Sequence, residues 1–261
     1  MTPAVASSGY RWWNLDIADR MAVMTFTRPP SNWMSIAAMT ELADALDELA
    51  GRTSDVTVVV LTGGVDGYFI AHADLDDLAS LGRGESVEGD PRAWRRALST
   101  LESMPQPTVA AIDGQAWGGG CETALACTVR LGSERAHLGQ PEVTVGVIPG
   151  AGGTQRLPRI VGPAVGAELC ITGRVLHADE ALRVGLLNAV LPTDGFLDHA
   201  LRWCGQITRN PATAVFAAKR AVNDGLRLPL DEGLRLESRL FSAVNASPEA
   251  RAANAEFPRP G

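Results

Sequence analysis

The spacing of apolar residues changes near residue 196. Upstream of it, short apolar runs alternate with segments of helical periodicity. DVTVVVLTG is a continuous β-branched run typical of a strand buried on both faces, and TVAAIDG and TVRLGS are further strand candidates. Residues 36–50 repeat apolar positions every three or four residues, which predicts a helix, and only this spacing continues beyond residue 196. The pattern predicts an α/β core over residues 1–195 and a helical region over residues 196–261.

Two further segments interrupt this alternation. Residues 76–90, DDLASLGRGESVEGD, are rich in glycine, serine and acids and predict a mobile excursion. Residues 118–127, GGGCETALAC, lie between two predicted strands and predict a helix that begins with glycines. Taken alone, the order of strands and helices would favour a doubly wound parallel sheet.

The composition is that of a globular protein with a sizeable core. The 261 residues are 46% apolar and 20% charged, which excludes a disordered or coiled-coil chain. No apolar run approaches the roughly 20 residues that a membrane helix needs. The N-terminal MTPAVASSGYRWW lacks the basic start and the apolar stretch of a secretory signal. We therefore expect a cytoplasmic protein that does not bind membranes.

The charge and the metal-binding residue types exclude further classes of function. A net charge of −7 argues against nucleic acid as a partner. The four cysteines form no CxxC pair and lie in apolar surroundings, so we expect buried free thiols. The four histidines show no ligand spacing, so the sequence predicts no metal site. The residues concerned are Cys121, Cys127, Cys170 and Cys204, and His72, His137, His177 and His199.

The glycines ahead of Glu122 raise the question of what kind of site they form. A P-loop would need a lysine after its last glycine, a dinucleotide fingerprint would need GxGxxG spacing, and a hydrolase elbow would need GxSxG; none is present. A glycine-rich helix start can instead bind an oxyanion, because its first N–H groups lack partners and carry partial positive charge. The residues alone leave this anion hole and a simple packing turn equally open.

Two other segments bear on that choice. Glu142 follows a proline in HLGQPEVTVGVIPGAGGTQRLPR, where it is either a solvated loop charge or a carboxyl group held in a site. Burial would raise the pKa of such a group and suit it to proton transfer. In GYFIAHADLDDL, a backbone N–H near Ala73 and Asp74 could supply the second half of an anion hole. Two carboxylates beside glycine-rich backbone fit proton transfer next to an activated carbonyl.

The order of these segments resembles the crotonase, or enoyl-CoA hydratase, superfamily. The resemblance rests on FIAHADL, GQAWGGGCETALAC and GQPEVTVGVIPGAGGTQRLPR, and TFTRPPSNWMS and NPATAVFAAKRAVNDG extend it over nearly the whole chain. It implies an α/β fold with a spiral of repeated strand–strand–helix (ββα) turns in residues 1–195, which carries an acyl-CoA site. It also implies that residues 196–261 help to build a homotrimer or a hexamer made of two trimers.

Carried over by position, the resemblance implies four residues that act on the substrate. The backbone N–H groups of Ala73 and Gly119 would form an oxyanion hole for the thioester oxygen of an acyl-CoA. Glu122 would orient and deprotonate the water that adds at C3, and Glu142 would deliver a proton to C2. Because both glutamates are present, the resemblance favours hydration over the isomerase, hydrolase and decarboxylase reactions of the superfamily.

The resemblance also implies contacts with coenzyme A. They fall in RPPSNWM, in the HADL stretch, and at the one lysine of the chain, which is either a phosphate contact or a solvated helix charge. The candidates are Arg28, Asn32, Met34, His72, Asp74, Leu75 and Lys219. His72 replaces the glycine usual before Ala73, which would restrict the backbone beside the first N–H donor. Thr128 replaces a frequent aspartate, a change expected to affect packing.

The resulting expectation is an enoyl-CoA hydratase, a lyase of fatty acid β-oxidation that needs no metal or redox cofactor. It would add water to a trans-2-enoyl-CoA to give a 3-hydroxyacyl-CoA. The alternatives are another acyl-CoA reaction of the superfamily, namely double-bond isomerisation or thioester hydrolysis, and a non-catalytic acyl-CoA-binding protein. The acyl chain length does not transfer, because residues 76–90 shape the acyl pocket and depart from the family there.

Overall fold

The computed structural model describes residues 9–256 and places the strands of this part of the chain in two sheets. The strands of the larger sheet, in their order across it, are β1 (Trp13–Ala18), β2 (Met21–Phe26), β3 (Val58–Gly63), β4 (Thr108–Ile112), β6 (Val129–Ser133) and β9 (Ala189–Leu191). β1 and β2 are antiparallel, and the other neighbours are parallel. The β-branched run predicted as a strand is β3, which is buried on both faces at the centre of the sheet.

The smaller sheet is built from three-residue strands, which are β5 (Gln115–Trp117), β7 (His137–Gly139) and β8 (Val175–His177). The chain alternates between the two sheets, because β5 follows directly after β4 and β7 after β6. Gly114 makes the tight turn between β4 and β5: its φ is +111°, and a Cβ there would overlap the carbonyl oxygen of Gly67. Successive turns therefore stack on one another, which confirms the predicted spiral.

Helices cover both faces of the larger sheet. The α-helices of the described residues are α1 (Ile36–Ala50), α2 (Leu75–Gly82), α3 (Ala93–Ser103), α4 (Gly119–Ala126), α5 (Gly153–Val161), α6 (Pro163–Thr172), α7 (Ala178–Arg183), α8 (Phe196–Thr208), α9 (Ala212–Gly225), α10 (Leu230–Asn245) and α11 (Pro248–Glu256). α1 and α3 pack against each other in the main core. On the opposite face, Phe196, Ala200 and Cys204 of α8 pack against alternate residues of β3 and β4.

The helix predicted over residues 36–50 is confirmed with these bounds. Ser35 caps it, because its side chain accepts the N–H of Ala38 at 3.2 Å. From Phe196 onward, the elements of the described residues are all helices. By its packing, however, α8 completes the cover of the sheet, and α9 to α11 are the helices that extend beyond it.

Two expectations from the linear pattern are wrong. The structure is not a doubly wound sheet, because three of its strands form a second, smaller sheet. These strands are too short to give a periodic signal, so the apolar pattern does not predict them. The first half of the excursion over residues 76–90 is helical: α2 begins after Asp74, whose carboxylate accepts the N–H of Asp76 at 3.0 Å. No helix within residues 9–256 combines the length and the apolar character needed to cross a membrane.

Candidate active site

Glu122 lies in the first turn of α4, a helix in which all eight residues are buried. Its Oε1 accepts the backbone N–H of Ala151 at 2.7 Å and that of Gly153 at 2.8 Å. Burial raises the pKa of Glu122, while these two N–H groups and the charge of Arg156 oppose the shift. Within the described residues, Oε2 accepts no hydrogen bond. The carboxylate is therefore fixed through one oxygen and can offer the other to a ligand.

The two N–H donors belong to the second glycine-rich segment, PGAGGTQRL. Gly152 has a φ of +109°, and α5 begins directly after it at Gly153. The free N–H groups at this helix start thus bind the carboxylate as helix N-termini bind anions. The sequence pattern predicts no helix here and does not connect the segment with Glu122. The available signal was the glycine pair ahead of TQRL.

Glu142 lies on a 3₁₀ turn, Pro141–Val145, that follows β7. Burial is the main cause that raises the pKa of Glu142 to about 7; its own backbone N–H opposes the shift, and the charge of Glu122 adds to it. Gln140 is fully buried beside it, and hydrogen bonding orients its amide nitrogen towards Glu142 Oε1 at 2.9 Å. Glu142 is thus a half-buried group held in a site rather than a solvated loop charge.

The three glycines of GGGCE differ in their surroundings. Gly118 has a φ of +49° and turns the chain from β5 into α4. At Gly120 a Cβ would overlap the carbonyl oxygen of Ile70, so this glycine is required by packing. Gly119 presents its backbone to the cleft. The packing turn thus accounts for Gly118 and Gly120, while the anion hole at Gly119 stays a prediction.

The segments that carry Ala73 and Gly119 lie against each other. A Cβ added at Gly119 would lie 3.2 Å from the Cβ of Ala73, and one added at Gly118 would lie 3.1 Å from Oε1 of Glu142. Among residues 9–256, the N–H groups of Ala73 and Gly119 donate to no protein oxygen. Trp94, which the sequence analysis missed, packs its ring over Gly119. The two segments therefore bring together two N–H groups without a partner in this part of the chain, at the positive end of α4, and their shared contact with a ligand oxygen stays a prediction.

The candidates for binding coenzyme A separate into two groups. His72 and Leu75 line the same cleft as the four catalytic candidates. Arg28 and Asp74 bind each other instead, with 2.8 Å between Nη1 and Oδ2, and thereby join the 28–34 loop to the start of α2. Their contact with coenzyme A stays a prediction.

Asn32 and Met34 are buried inside that loop. The Asn32 amide donates to the carbonyl oxygens of Phe26 and Phe69 and accepts the N–H of Arg28. Met34 is 1% exposed and belongs to the main core. A contact between coenzyme A and either residue would therefore have to come from the backbone.

His72 does not strain the backbone beside Ala73. It is not among the non-glycine residues that adopt a positive φ within residues 9–256. Its ring stacks on Trp33 with 5.2 Å between ring centroids. The expected cost of losing the usual glycine is therefore absent. Thr128 bonds to Thr108 through both side chain and backbone, in line with the expected packing role.

Lys219 is buried, and its Nζ donates to the carbonyl oxygens of Leu101, Met104 and Gln106 at 3.2, 2.7 and 2.8 Å. Burial lowers the pKa of Lys219 to about 8. The alternative of a solvated helix charge is wrong, because these bonds tie α9 to the end of α3. A phosphate contact would require the ammonium group to give up one of these carbonyls, and it stays a prediction.

The four catalytic candidates, Ala73, Gly119, Glu122 and Glu142, line one cleft of 1810 Å³. Apolar side chains of α2 and of the segment around Glu142 line part of it: Leu75, Leu78, Leu81, Val145, Val147 and Ile148. The four cysteines are free thiols; three are buried and Cys170 is half-buried. The residues that the structure describes contain no group of three or more histidine, cysteine or acidic side chains placed to hold a metal ion.

The chain matches known proteins over nearly its whole length. The sequence model of the family described as Enoyl-CoA hydratase/isomerase matches residues 16–257. A short-chain-enoyl-CoA hydratase of Clostridium acetobutylicum is 35% identical over 93% of both chains, and a crotonyl-CoA hydratase of Syntrophomonas wolfei is 34% identical over 91% of both. The crystal structure of an enoyl-CoA hydratase from Bacillus anthracis superposes with a TM-score of 0.87 at 34% identity, covering 95% of this chain and 96% of that one.

Proposed function

The chain belongs to the enoyl-CoA hydratase/isomerase family, and we propose that it is an enoyl-CoA hydratase that converts a trans-2-enoyl-CoA into a 3-hydroxyacyl-CoA. One observation carries the proposal: Glu122 and Glu142 line the same cleft as Ala73 and Gly119, whose N–H groups have no protein partner among the residues that the structure describes. The similarity to a short-chain-enoyl-CoA hydratase and to a crotonyl-CoA hydratase supports it.

The oxyanion hole would act on the thioester. When water adds to C3, negative charge moves through C2 onto the thioester oxygen, and the N–H groups of Ala73 and Gly119 would stabilise it there. Gly119 is the first residue of α4, so the helix dipole adds to the effect. Preorganised hydrogen-bond donors of this kind increase the reaction rate by roughly 10²–10³-fold.

The two glutamates would divide the proton transfers. Glu122, ionised and fixed by two N–H groups, takes a proton from the water whose oxygen bonds to C3. Glu142, whose pKa is about 7, gives its proton to C2 as the enolate collapses. The water supplies one hydroxyl and one proton in total, so the reaction is redox-neutral. On this proposal neither a metal nor a redox cofactor takes part.

The apolar side chains in the cleft support an acyl group as the ligand. Leu75, Leu78 and Leu81 follow one another at a helical spacing of three on α2, and they are 51%, 44% and 36% exposed. Apolar side chains left open along a helix stripe fit an alkyl chain. Hydration rates on enoyl-CoAs of graded chain length would define which acyl groups this wall accepts.

Crotonyl-CoA provides the direct test. We expect the absorbance of its conjugated thioester to fall on addition of the protein, and 3-hydroxybutyryl-CoA to form. Glu122→Gln and Glu142→Gln keep the size of each side chain but cannot exchange the proton, so each should lower kcat by roughly 10²–10⁴. Full rate in both variants would exclude the mechanism.

Product analysis separates the alternatives. A 3-enoyl-CoA converted to its 2-enoyl isomer would identify an isomerase, and release of free coenzyme A would identify a thioester hydrolase. Binding of crotonyl-CoA without turnover of any enoyl thioester would support the non-catalytic alternative.

We also propose assembly into a trimer or a dimer of trimers in the cytoplasm. Large apolar side chains on α9 and α10 support an assembly, because Val222, Leu226, Leu230 and Phe241 are each at least 60% exposed. Light scattering of the purified protein would distinguish a trimer from a hexamer and from a monomer.

A further inference from the structure

We infer that Arg156 and Glu102 are positioning residues that hold the Ala151 segment against Glu122 and thereby set the catalytic strength of this carboxylate. The inference rests on the proposed function, because it concerns the group that would deprotonate water. Neither residue stood out in the sequence, and neither touches the carboxylate directly. Their effect passes through a chain of hydrogen bonds.

The chain of contacts is continuous. Nε of Arg156 donates to Oε1 of Glu102 at 2.7 Å, and Nη1 of Arg156 donates to the carbonyl oxygen of Ala151 at 2.8 Å. The N–H of the same residue, Ala151, donates to Glu122 Oε1 at 2.7 Å. The guanidinium group therefore anchors one polar group of Ala151 while the other holds the carboxylate.

The local backbone is shaped for this arrangement. Gly152 has a φ of +109°, and a Cβ at this position would overlap Nη1 of Arg156. The guanidinium group thus occupies the space that any larger residue would fill. Gly153, the next residue, supplies the second N–H to Glu122. The turn, the arginine and the carboxylate fit together as one unit.

The pair of Arg156 and Glu102 is sheltered from solvent. Their side chains are 20% and 26% exposed, whereas those of Arg235 and Asp231 are 63% and 70% exposed. Exposed ion pairs hold their geometry weakly, and sheltered hydrogen-bonded pairs hold it better. Arg227, which lies between α9 and α10, has its Nη2 3.3 Å from the second oxygen of Glu102 and adds a partner from the C-terminal region.

Several ionisable groups act in the surroundings of Glu122. Arg156 on α5 favours its ionised form, and Glu142 on the 3₁₀ turn is its carboxyl neighbour. The thiols of Cys121 on α4 and Cys170 on α6 have raised pKa values and stay neutral near pH 7. Of these four groups, Arg156 carries the positive charge. Loss of its charge or of its position should therefore raise the pKa of Glu122 and weaken it as a base.

Two variants separate positioning from a simple effect of charge. Arg156→Met removes a positive charge, so either explanation predicts a higher pKa for Glu122. Glu102→Gln removes a negative charge, which by itself would lower that pKa. If Glu102 acts by holding Arg156 in place, the Glu102 variant raises it instead. The opposite signs make the second variant decisive.

The measurement is a pH titration of the Glu122 carboxyl carbon by ¹³C NMR on the full chain, assigned with Glu122→Gln. We expect an upward shift of roughly one unit in Arg156→Met, comparable to the spread that protein environments impose on carboxyl groups. We expect a smaller upward shift in Glu102→Gln. In the double variant Glu102 has no arginine to position and only its charge effect remains, so the Glu122 pKa should equal that of Arg156→Met or lie slightly below it. An unchanged or lower pKa in Glu102→Gln would overturn the inference.

Activity provides a second measurement. With a shift of one unit, kcat on crotonyl-CoA should fall about tenfold at a pH below the titration midpoint, because the ionised fraction falls by that factor. Arg156→Lys keeps the charge and should recover part of the loss, and it replaces Arg156→Met if that variant fails to fold. Arg220→Gln on the exposed side of α9 is the control and should leave kcat unchanged.

The two proposals fail in different ways. If the protein does not hydrate crotonyl-CoA, the proposed function fails, yet the NMR titration still tests the positioning. If the protein hydrates crotonyl-CoA and Glu102→Gln leaves both kcat and the pKa of Glu122 unchanged, the positioning inference alone is wrong.

Discussion

Glu122 and Glu142 have identical side chains, but Glu122 lies in a buried helix and Glu142 on a turn without buried residues. All eight residues of α4 are buried around Glu122, whereas none of the five residues of the Pro141–Val145 turn is buried. Two backbone N–H groups hold Glu122, while a single side-chain amide, from Gln140, faces Glu142. One carboxylate is therefore fixed by the fold, and the other lies on a turn at its surface.

This difference explains how two identical groups can take different parts in one reaction. A base that must aim at a water needs a fixed position and a stabilised charge, which backbone donors supply. A group that hands over a proton near neutral pH needs a raised pKa, which partial burial and the negative charge of Glu122 supply. The environment of each glutamate thus assigns its part in the proposed mechanism.

Shortening each side chain should break the comparison most strongly. Glu122→Asp withdraws the carboxylate from the N–H groups of Ala151 and Gly153, which cannot follow inside the packed site, so we expect kcat to fall by roughly 10²-fold. Glu142→Asp changes a residue on a more open turn, whose backbone can move with the shortened side chain. We therefore expect kcat to fall by no more than about tenfold. Hydration of crotonyl-CoA measures both. Equal losses would mean that the surroundings of the two groups do not matter.

The pH dependence of hydration sharpens the comparison next. Glu142 must carry its proton before it can donate it, so kcat/KM should fall about tenfold per unit as pH rises above the Glu142 pKa of about 7. Because water addition takes up no net proton, dehydration of the 3-hydroxyacyl-CoA should show the same falling limb. A value of kcat/KM that stays constant from about pH 6 to about pH 9 would contradict the role of Glu142 as proton donor.

Two glycines with positive φ allow a matched test of the supporting backbone. Gly152→Ala and Gly146→Ala should each cost about 1–2 kcal/mol of stability, because both impose a left-handed conformation on alanine. At Gly152 the new Cβ would also displace Arg156, whereas nothing lies within 4 Å of a Cβ at Gly146. Chemical denaturation should therefore show a loss of stability at both sites, larger in Gly152→Ala, and kcat should fall further in Gly152→Ala than in Gly146→Ala. A larger loss of kcat in Gly146→Ala would reverse the assignment.

The smallest expected effect concerns the pH dependence of stability. The pKa of Glu142 in the folded state, about 7, lies above the ordinary glutamate value of 4.5, so the folded state binds this proton more tightly. The stability that Glu142 contributes by binding this proton is present below about pH 4.5 and is lost as the pH rises from there through about 7. Glu142→Gln should therefore lose less stability than the native chain between about pH 5 and pH 8, as measured by urea denaturation. Identical slopes would mean that Glu142 is as solvated when folded as when unfolded.

Much of the larger sheet could be predicted because its signals are local. The β-branched run of β3 and the apolar repeat of α1 each lie within one element, and their burial follows from their own spacing. The three-residue strands of the smaller sheet have no such signal, since their pairing partners lie in other turns of the spiral. The apolar pattern therefore does not predict this sheet, and only the family resemblance predicts the spiral to which it belongs.

The sequence by itself determined the types and order of the chemical groups in this protein: two glutamates, each near glycines, and a helix start able to bind an anion. Only the tertiary structure decided how these groups are held. The donors to Glu122 come from 29 and 31 residues away, and the carbonyl groups around Lys219 come from more than 110 residues away. Hydrogen bonds form between atoms that meet in space, so a single lysine or arginine in the sequence does not indicate its partner. In the folded protein Lys219 bonds to carbonyl groups at the end of α3, and Arg156 supports the segment that holds Glu122.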